Sequence, residues 1–281
     1  MIEIKPCTGV GAEVLGVDLN TLGDEEFHLI RQAYADYGVI FFRDQEITPQ
    51  AHISFARRWN PIAVNQFFDS VENFPEIAEV RKEAENRDNI GGGWHTDHSY
   101  DAEPAMGSIL VARELPDSGG ETLFANMYSA FESLSPGLQQ CLRGLNAVHS
   151  SGHVFGPQGS SAQRTNGGRS RNPELATQVS THPVVIRHPL SGREALYVNG
   201  AFTLHFEGWT VAESEPLLQL LYTHASRPEF TCRFEWRPGS VAFWDNRATW
   251  HYALNNYHGS RRLMHRITVS GDALPAALST Q

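Results

Sequence analysis

The chain has 281 residues, and its 22 basic and 32 acidic side chains give a formal net charge of −10 at pH 7. Such an acidic chain lacks the basic surface that non-specific nucleic-acid binding requires, so we expect no nucleic-acid partner. Three scattered cysteines without a CxxC pair argue against a disulfide framework and against a cysteine zinc site. Neither a signal-peptide core nor an apolar run long enough to span a membrane is present, which predicts a cytoplasmic protein without a membrane partner.

Helix signals occur at four places along the chain. Asp24 to Tyr37 has apolar residues at helical spacing and is followed by Gly38, a typical helix stop. A second helix is predicted after Thr48, a third after Asn126 and a fourth after Thr210. Thr48 and Thr210 are good capping residues. We expect these helices to lie on the outside of the fold.

Strand-like runs are shorter and more numerous than the helices. They cover residues 39–42, 108–112, 122–125, 145–150, 184–188, 195–198, 231–236, 241–244 and 263–269. Many short strands with few helices predict a mainly β fold with flanking helices (α+β), in the form of a jelly roll. We expect residues 1–281 to form a single domain.

The segment 156–171 differs from its surroundings, since it is rich in Gly, Ser and polar residues and has little that could pack in a core. One interpretation is a surface insertion. The other is a mobile lid over a binding site, a role that long loops of compact enzymes often have. The composition alone favours neither interpretation.

A candidate pair of metal ligands is present in His95-Thr96-Asp97. If this segment is a strand, its first and third side chains project from the same face and could bind one ion. His98 is a further candidate beside them. The same spacing occurs in His205-Phe206-Glu207, so the pair alone is a weak signal, and a hydrogen-bonded histidine without a metal is the alternative.

The surroundings of the pair favour a metal site. Gly91-Gly92-Gly93 lies just before it and would let the backbone approach a centre closely. His251 follows an apolar strand and could supply a third ligand. Two histidines and one carboxylate leave positions open on an octahedral ion, which suits non-haem Fe(II) oxygen chemistry. Structural zinc would prefer a closed site of four ligands.

The strand predicted around residues 263–269 carries two arginines on one face. Arg262, Met264, Arg266 and Thr268 alternate with an apolar face that can pack in the core. One interpretation is an exposed basic edge. The other is a pocket for a small anion, because the guanidinium fork is well suited to carboxylates and sulfonates.

Several motifs taken together resemble the taurine dioxygenase (TauD/TfdA-like) family. They are residues 11–18, 92–97, 119–123, 244–251 and 261–266, in the order GAEVLGVD, GGWHTD, GGETL, WDNRATWH and RRLMHR. The resemblance runs in order from about residue 11 to residue 272. It implies a double-stranded β-helix that binds Fe(II) and 2-oxoglutarate and uses O2.

The resemblance also implies roles for individual residues. Carried over by position, His95, Asp97 and His251 would be the iron ligands. Thr122 and Arg262 would bind the distal carboxylate of 2-oxoglutarate. Arg266 would bind an anionic group of the substrate, and Phe155 and Phe202 would line the substrate cavity. Because Phe155 immediately precedes it, the segment 156–171 would then lie beside that cavity, which favours the lid. The family also favours a homo-oligomer.

The sequence departs from the family at positions that hold taurine itself. Family members that use taurine have a histidine and a tyrosine upstream and an asparagine just before the His-x-Asp motif. Here residues 61–68 contain neither histidine nor tyrosine, with Asn65 and Phe68 in those places, and Gly91 stands at the asparagine position. The ammonium group of taurine would lose polar partners, so we expect a more apolar anion.

These observations predict a dioxygenase that hydroxylates a small anionic organic substrate and forms succinate and CO2. The substrate would be a sulfonate, a sulfate ester or a carboxylate. Two alternatives remain from the residues themselves: a zinc-dependent hydrolase on a jelly-roll scaffold, and a non-catalytic jelly-roll protein that binds small anions.

Overall fold

The computed structural model describes residues 2–160 and 171–277, and these residues form a mainly β structure with helices on its outside. The strands are β1 (Glu3–Pro6), β2 (Ala12–Leu15), β3 (Val39–Phe42), β4 (Ile62–Ala63), β5 (Ser70–Val71), β6 (Phe74–Lys82), β7 (Gly107–Glu114), β8 (Thr122–Asn126), β9 (Asn146–Ser150), β10 (Val179–Pro183), β11 (Val185–Arg187), β12 (Glu194–Leu196), β13 (Thr203–Phe206), β14 (Thr231–Phe234), β15 (Val241–Asp245), β16 (Thr249–Ala253) and β17 (Arg262–Val269). The helices are α1 (Asp24–Tyr37), α2 (Pro49–Arg57), α3 (Met127–Glu132), α4 (Pro136–Arg143), α5 (Gly152–Phe155) and α6 (Val211–Ala225), with 3-10 turns at Pro173–Leu175 and Pro228–Phe230. None of the described helices is long and apolar enough to cross a membrane.

The strands form one large sheet and several small ones. The large sheet has nine strands in the order β1-β2-β3-β15-β7-β17-β6-β5, with β4 paired to β17. The small sheets have the orders β14-β8-β16, β10-β9-β13 and β11-β12. The β2–β3 pair is parallel, whereas the pairs on both sides of β15 and β17 are antiparallel. Two largely antiparallel sheets facing each other make the double-stranded β-helix, or jelly roll, that the sequence predicted.

The central strands β3 and β15 of the large sheet are buried on both faces. On its outer face, Tyr34 of α1 and Trp59, two residues after the end of α2, pack against Phe243 of β15, and the three rings lie 4.4–4.9 Å apart. On its inner face, Phe41 of β3 and Trp244 of β15 contact Phe124 of β8 at ring-centroid distances of 5.5 and 5.8 Å. Burial on two sides explains why β15 reads as a continuous apolar run instead of an alternating one.

The predicted helix starts and stops are confirmed by their capping geometry. Gly38 ends α1 in the left-handed conformation, with φ of 74°. The Thr48 hydroxyl accepts from the Ala51 amide at the start of α2, and the Asn126 side chain caps α3. Thr210 forms a capping box at the start of α6. Each predicted strand run likewise overlaps an observed strand, although 184–188 is shortened to Val185–Arg187.

Other elements were not predicted, and one local prediction was wrong. The prediction missed β6, which has a proline at its second position and four charged residues, because its main pairing partner is the distant β17 and its own residues show no clear alternation. The prediction also missed α4, with its polar face, and β16. His95 to Asp97 is not a strand: one bridge, between His95 and His251, interrupts a run of bends.

The segment predicted as a lid, 156–171, lies mainly outside the described residues, since 161–170 are not described. At its start, Gly156 follows directly on α5. At its end, the Arg171 amide donates to the Phe67 carbonyl at 2.8 Å. The lid therefore stays a prediction.

Candidate active site

One cavity of about 520 Å³ opens between the large sheet and β8. All of the side chains singled out as site residues line it: Asn65, His95, Asp97, Thr122, Phe155, Phe202, His251, Arg262 and Arg266. They come from positions far apart in the chain, so the fold brings the candidate metal, anion and substrate groups into one place.

The candidate metal ligands are brought together by the bridge between two chain segments. The His95 amide donates to the His251 carbonyl at 3.1 Å, and the His251 amide donates back to the His95 carbonyl at 2.8 Å. Asp97 then lies 3.8 Å from each histidine, measured from its carboxylate oxygens to the two Nε2 atoms. Within residues 2–160 and 171–277, these three form the one group of His, Cys, Asp or Glu side chains placed to hold a metal ion.

Hydrogen bonds and burial prepare these side chains for a cation. The Nδ1 of His95 lies 2.8 Å from the Gly93 carbonyl and donates to it, which leaves the Nε2 lone pair facing the centre. Burial would raise the pKa of the Asp97 carboxyl, but the charge of the Arg266 guanidinium is the largest influence that opposes burial, and the pKa lies below its usual range. Burial lowers the pKa of His251 well below its usual value, so the imidazole is neutral. Two imidazoles and a carboxylate fit a divalent metal with open positions.

A glycine keeps space beside the first ligand. Gly91 has φ of 78°, and a Cβ atom built on it would lie 3.2 Å from Cε1 of His95. A Cβ on Gly93, by contrast, would meet nothing within 4 Å. The close approach predicted for the triple-glycine run is therefore a property of Gly91 rather than of Gly93.

Arg262 and Thr122 form a second polar region of the cavity. Arg262 is 5% exposed, and its Nε and Nη2 atoms are buried without a hydrogen-bond partner among the described residues. Thr122 Oγ1 accepts from Trp236 Nε1 at 3.0 Å, so the hydroxyl proton of Thr122 is left to donate. Because buried guanidinium N–H groups without a partner are costly, this region fits a carboxylate that would accept from the Arg262 Nε and Nη2 groups and from the Thr122 hydroxyl.

Arg266 lies closer to the candidate metal ligands. Its Nη1 donates to Asp97 Oδ2 at 3.3 Å, and its guanidinium carbon lies 5.0 Å from the centre of the Phe68 ring. Its Nε is buried and unpaired within the described part of the chain, and the residue is 8% exposed. The alternative of an exposed basic edge is therefore wrong, since both arginines of β17 point into the fold.

Aromatic rings form the opposite wall of the cavity. Phe155 lies 5.9 Å from Phe202 and stacks on Phe67 at 4.9 Å, while Tyr100 packs edge-on against Phe202 at 4.9 Å. Sequence reasoning missed Phe67 and Tyr100. The position of Tyr100, three residues after Asp97, was the signal that could have identified it. The wall makes this side of the cavity apolar.

Some candidate polar residues have other partners. Asn65 lines the cavity, but its Oδ1 accepts from the Phe67 and Phe68 amides at 2.8 and 3.1 Å, so it forms the turn that places Phe68 against Arg266. His98 also lines the cavity, with its Nδ1 2.8 Å from Asp101 Oδ2, and it does not join the metal group.

The second His-x-acid pair is not a metal site in the described structure. The Nδ1 of His205 bonds to the Phe206 carbonyl, and Glu207 accepts from the Asn146 side chain. The alternative of a hydrogen-bonded histidine therefore holds for this pair.

Ser108 is a further residue that sequence reasoning missed. It is fully buried on β7, and its hydroxyl donates to Asp97 Oδ2 at 3.2 Å. Together with Arg266, it fixes the orientation of the carboxylate.

Comparison with known proteins finds similarity over nearly the whole chain. The family model described as "Taurine catabolism dioxygenase TauD, TfdA family" matches residues 3–268. An alkylsulfatase from Acinetobacter baylyi is 32% identical over 98% of this chain and 87% of its own length. An alpha-ketoglutarate-dependent sulfate ester dioxygenase from Pseudomonas putida is 32% identical over 96% and 90%. An (S)-phenoxypropionate/alpha-ketoglutarate-dioxygenase from Sphingobium herbicidovorans is 31% identical over 93% and 92%.

Solved structures agree with the architecture. The crystal structure of a taurine dioxygenase from Burkholderia xenovorans superposes with a TM-score of 0.82 at 36% identity, covering 97% of this chain and 92% of that one. The structure of AAD-2 in complex with Mn(II) and N-oxalylglycine has a TM-score of 0.79 at 27% identity, covering 98% and 99%. The jelly-roll fold and the resemblance drawn from the motifs are both confirmed.

Proposed function

The chain belongs to the TauD/TfdA family of alpha-ketoglutarate-dependent dioxygenases, and from this premise we propose that it uses Fe(II), O2 and 2-oxoglutarate to hydroxylate a small organic anion with an apolar body. One observation carries the proposal. The group formed by His95, Asp97 and His251 shares a cavity with two buried arginines that have unpaired N–H groups. The zinc hydrolase and the non-catalytic binding protein do not account for this family membership.

We propose a separate role for each of the two polar regions of the cavity. His95, Asp97 and His251 would hold the iron, and Arg262 with the Thr122 hydroxyl would bind the distal carboxylate of 2-oxoglutarate. When bound, the iron and 2-oxoglutarate supply the oxidising chemistry, with succinate and CO2 as products. The residues of the chain bind and orient: burial of Arg262 strengthens its charge-assisted hydrogen bonds, because few waters compete for the carboxylate.

The substrate is proposed from the groups that remain. The unpaired Nε of Arg266 offers a donor to an anionic group close to the candidate metal ligands. The ring wall of Phe67, Tyr100, Phe155 and Phe202 would contact an apolar body and exclude water from it. Alkyl sulfates and aryloxyalkanoates have this combination of charge and apolar surface, and they match the activities in the names of two relatives.

Taurine fits the cavity less well. Its ammonium group would need polar partners, and Phe68 and Gly91 stand where taurine-using members of the family have polar side chains. An ammonium group buried against the ring wall without hydrogen bonds would be costly. We therefore propose that taurine is a poor substrate.

A substrate panel tests the proposal. The chain, supplied with Fe(II) and 2-oxoglutarate in air, would be given hexyl sulfate, 2-phenoxypropionate or taurine, and succinate would be measured. Hydroxylation at the carbon bearing the sulfate ester yields an unstable product that breaks down to hexanal and sulfate, which provides a second readout. We expect hexyl sulfate or 2-phenoxypropionate to exceed taurine. An uncharged best substrate would remove the proposed role of Arg266, and no succinate with any substrate would overturn the function.

A further inference from the structure

A buried polar cluster lies behind the substrate cavity and is not part of the proposed binding groups. Its members are Ser99, His149 and Asn199, each with 0% exposure. The Asn199 side-chain amide donates to Ser99 Oγ at 3.0 Å, and Ser99 Oγ lies 3.1 Å from Nδ1 of His149. Because buried polar groups are costly unless they are paired, a cluster of this kind fixes the relative positions of its members.

The Asn199 amide holds the chain segment that carries part of the ring wall. Its Oδ1 accepts from the Ala201 amide at 3.1 Å and from the Phe202 amide at 3.0 Å. The Ser150 amide of β9 donates to the Phe202 carbonyl at 2.9 Å. The hydrogen bonds of the Asn199 side-chain amide therefore orient the 199–202 turn and tie that turn to Ser99.

Ser99 connects this turn to the candidate metal ligands. It lies two residues after Asp97 and one before Tyr100, whose ring packs against Phe202 at 4.9 Å. Its hydroxyl accepts from Asn199 and has its own proton free to donate to His149. The Thr203 hydroxyl, 3.3 Å from the same His149 nitrogen, connects the far side of the turn to β9.

We propose that Ser99 and Asn199 are positioning residues that couple the metal-ligand loop 95–101 to the substrate wall 199–203. The inference rests on the proposed function, because it explains how a substrate that contacts the wall is held at a fixed position relative to the oxidising centre. Neither residue lines the cavity, so both act through the residues that do. Loss of the link should leave metal and 2-oxoglutarate binding intact but loosen the position of the substrate.

Hydrogen–deuterium exchange of the metal-free chain tests the coupling without catalysis. The Ser99→Ala variant removes the link but leaves the hydrogen bonds that the Ala201 and Phe202 amides donate to Asn199 Oδ1. We expect amide exchange in the segment 199–203 to become about tenfold faster, because a buried donor loses its partner and the turn opens more often. The Asn199→Leu variant should reciprocally accelerate exchange in the segment 97–101. Acceleration confined to the segment that carries each substitution would overturn the proposal.

Gln45 provides a matched control. Its side-chain amide also makes three hydrogen bonds, to the Leu19 amide and to the Val17 and Arg43 carbonyls, at 2.9, 3.0 and 2.9 Å. It does not line the cavity. The Gln45→Met variant should lower stability in the same way but leave exchange in both segments unchanged.

The coupling of 2-oxoglutarate consumption to product formation is a readout that a merely structural role would not change. With hexyl sulfate and, separately, 2-phenoxypropionate as probes, the ratio of product formed to 2-oxoglutarate consumed should fall about tenfold in Ser99→Ala but not in Gln45→Met. The KM for the probe should rise while the 2-oxoglutarate affinity stays unchanged. Wild-type coupling in Ser99→Ala would overturn the inference. If the wild-type chain consumed no 2-oxoglutarate, the proposed function would fail, and the exchange experiment alone would decide the inference.

Discussion

At Gly91 the backbone has φ of 78°, a conformation that L side chains rarely adopt, and the position a Cβ would take is 3.2 Å from His95 Cε1. We predict that Gly91→Ala weakens metal binding about tenfold, because the methyl group displaces either the backbone or the imidazole. Calorimetric titration of the metal-free chain with Mn(II) measures this. Gly93→Ala is the control, since a Cβ there meets nothing. Equal affinities for the two variants would contradict the steric argument.

Arg262 allows a similar comparison between neighbouring arginines. Arg262 is buried, and two of its nitrogens have no partner among the described residues, whereas Arg261 faces solvent and pairs with Glu83 and Glu114. Loss of charge-assisted hydrogen bonds to a carboxylate should lower 2-oxoglutarate affinity about tenfold to a hundredfold in Arg262→Gln and hardly at all in Arg261→Gln. Anaerobic titration of the Fe(II)-loaded variants, followed by the visible charge-transfer band, gives the affinities. A normal affinity in Arg262→Gln would assign the distal carboxylate to another residue.

At the scale of single elements, the loss of a helix cap should lower the stability of the chain without changing its activity. Thr48 caps α2 with a side-chain hydrogen bond to the Ala51 amide at 3.1 Å, whereas Ser135 occupies the same position before α4 and makes no such bond. Thr48→Ala should therefore reduce the free energy of unfolding by about 1 kcal/mol, and Ser135→Ala by less. Urea unfolding followed by circular dichroism provides the measurement. Neither variant should alter succinate formation, because neither residue lines the cavity. A larger loss in Ser135→Ala would refute the capping argument.

The elements also show what the sequence could predict. The alternation of β17 placed Arg262 and Arg266 on one face, and the structure buries both in the cavity. This worked because a two-residue period is a local property of the chain. The same assumption was wrong for His95 and Asp97, whose side chains meet through the bridge with His251 and not through a strand. That bridge joins residues more than 150 positions apart, so no local pattern encodes it.

At the scale of the whole molecule, the motifs identified the site more completely than the element patterns identified the fold. Ser99 and Asn199 had no sequence signal of their own, because a buried hydrogen bond between residues 100 positions apart becomes visible only when the sheets are assembled. Phe67 was missed for the same reason, since its stacking on Phe155 depends on the approach of a loop to the end of α5. The prediction of site residues was limited more by the distance along the chain between contacting residues than by the chemistry of their side chains.

The whole molecule should also lose stability in mild acid. Burial lowers the pKa of His52 from its ordinary 6.5 to about 3, with a smaller contribution from Arg113. The folded chain keeps this imidazole neutral, whereas the unfolded chain binds a proton below pH 6.5. The stability it contributes is therefore complete above about pH 6.5 and is lost as the pH falls towards 3, by about 1.4 kcal/mol per pH unit.

Replacing His52 by leucine tests this origin of acid sensitivity. His52→Leu removes the group that binds a proton in the unfolded chain. Its free energy of unfolding should therefore fall less steeply between pH 6.5 and 4 than that of the wild type, with a slope that is smaller by about 1.4 kcal/mol per pH unit. Urea unfolding of the metal-free chain at several pH values measures the slope without interference from metal binding. His258→Gln, at an exposed position, controls for the loss of one histidine. If His52→Leu lost stability as steeply as the wild type, the acid sensitivity would have to come from other buried groups, such as His149, whose pKa burial also lowers to about 3.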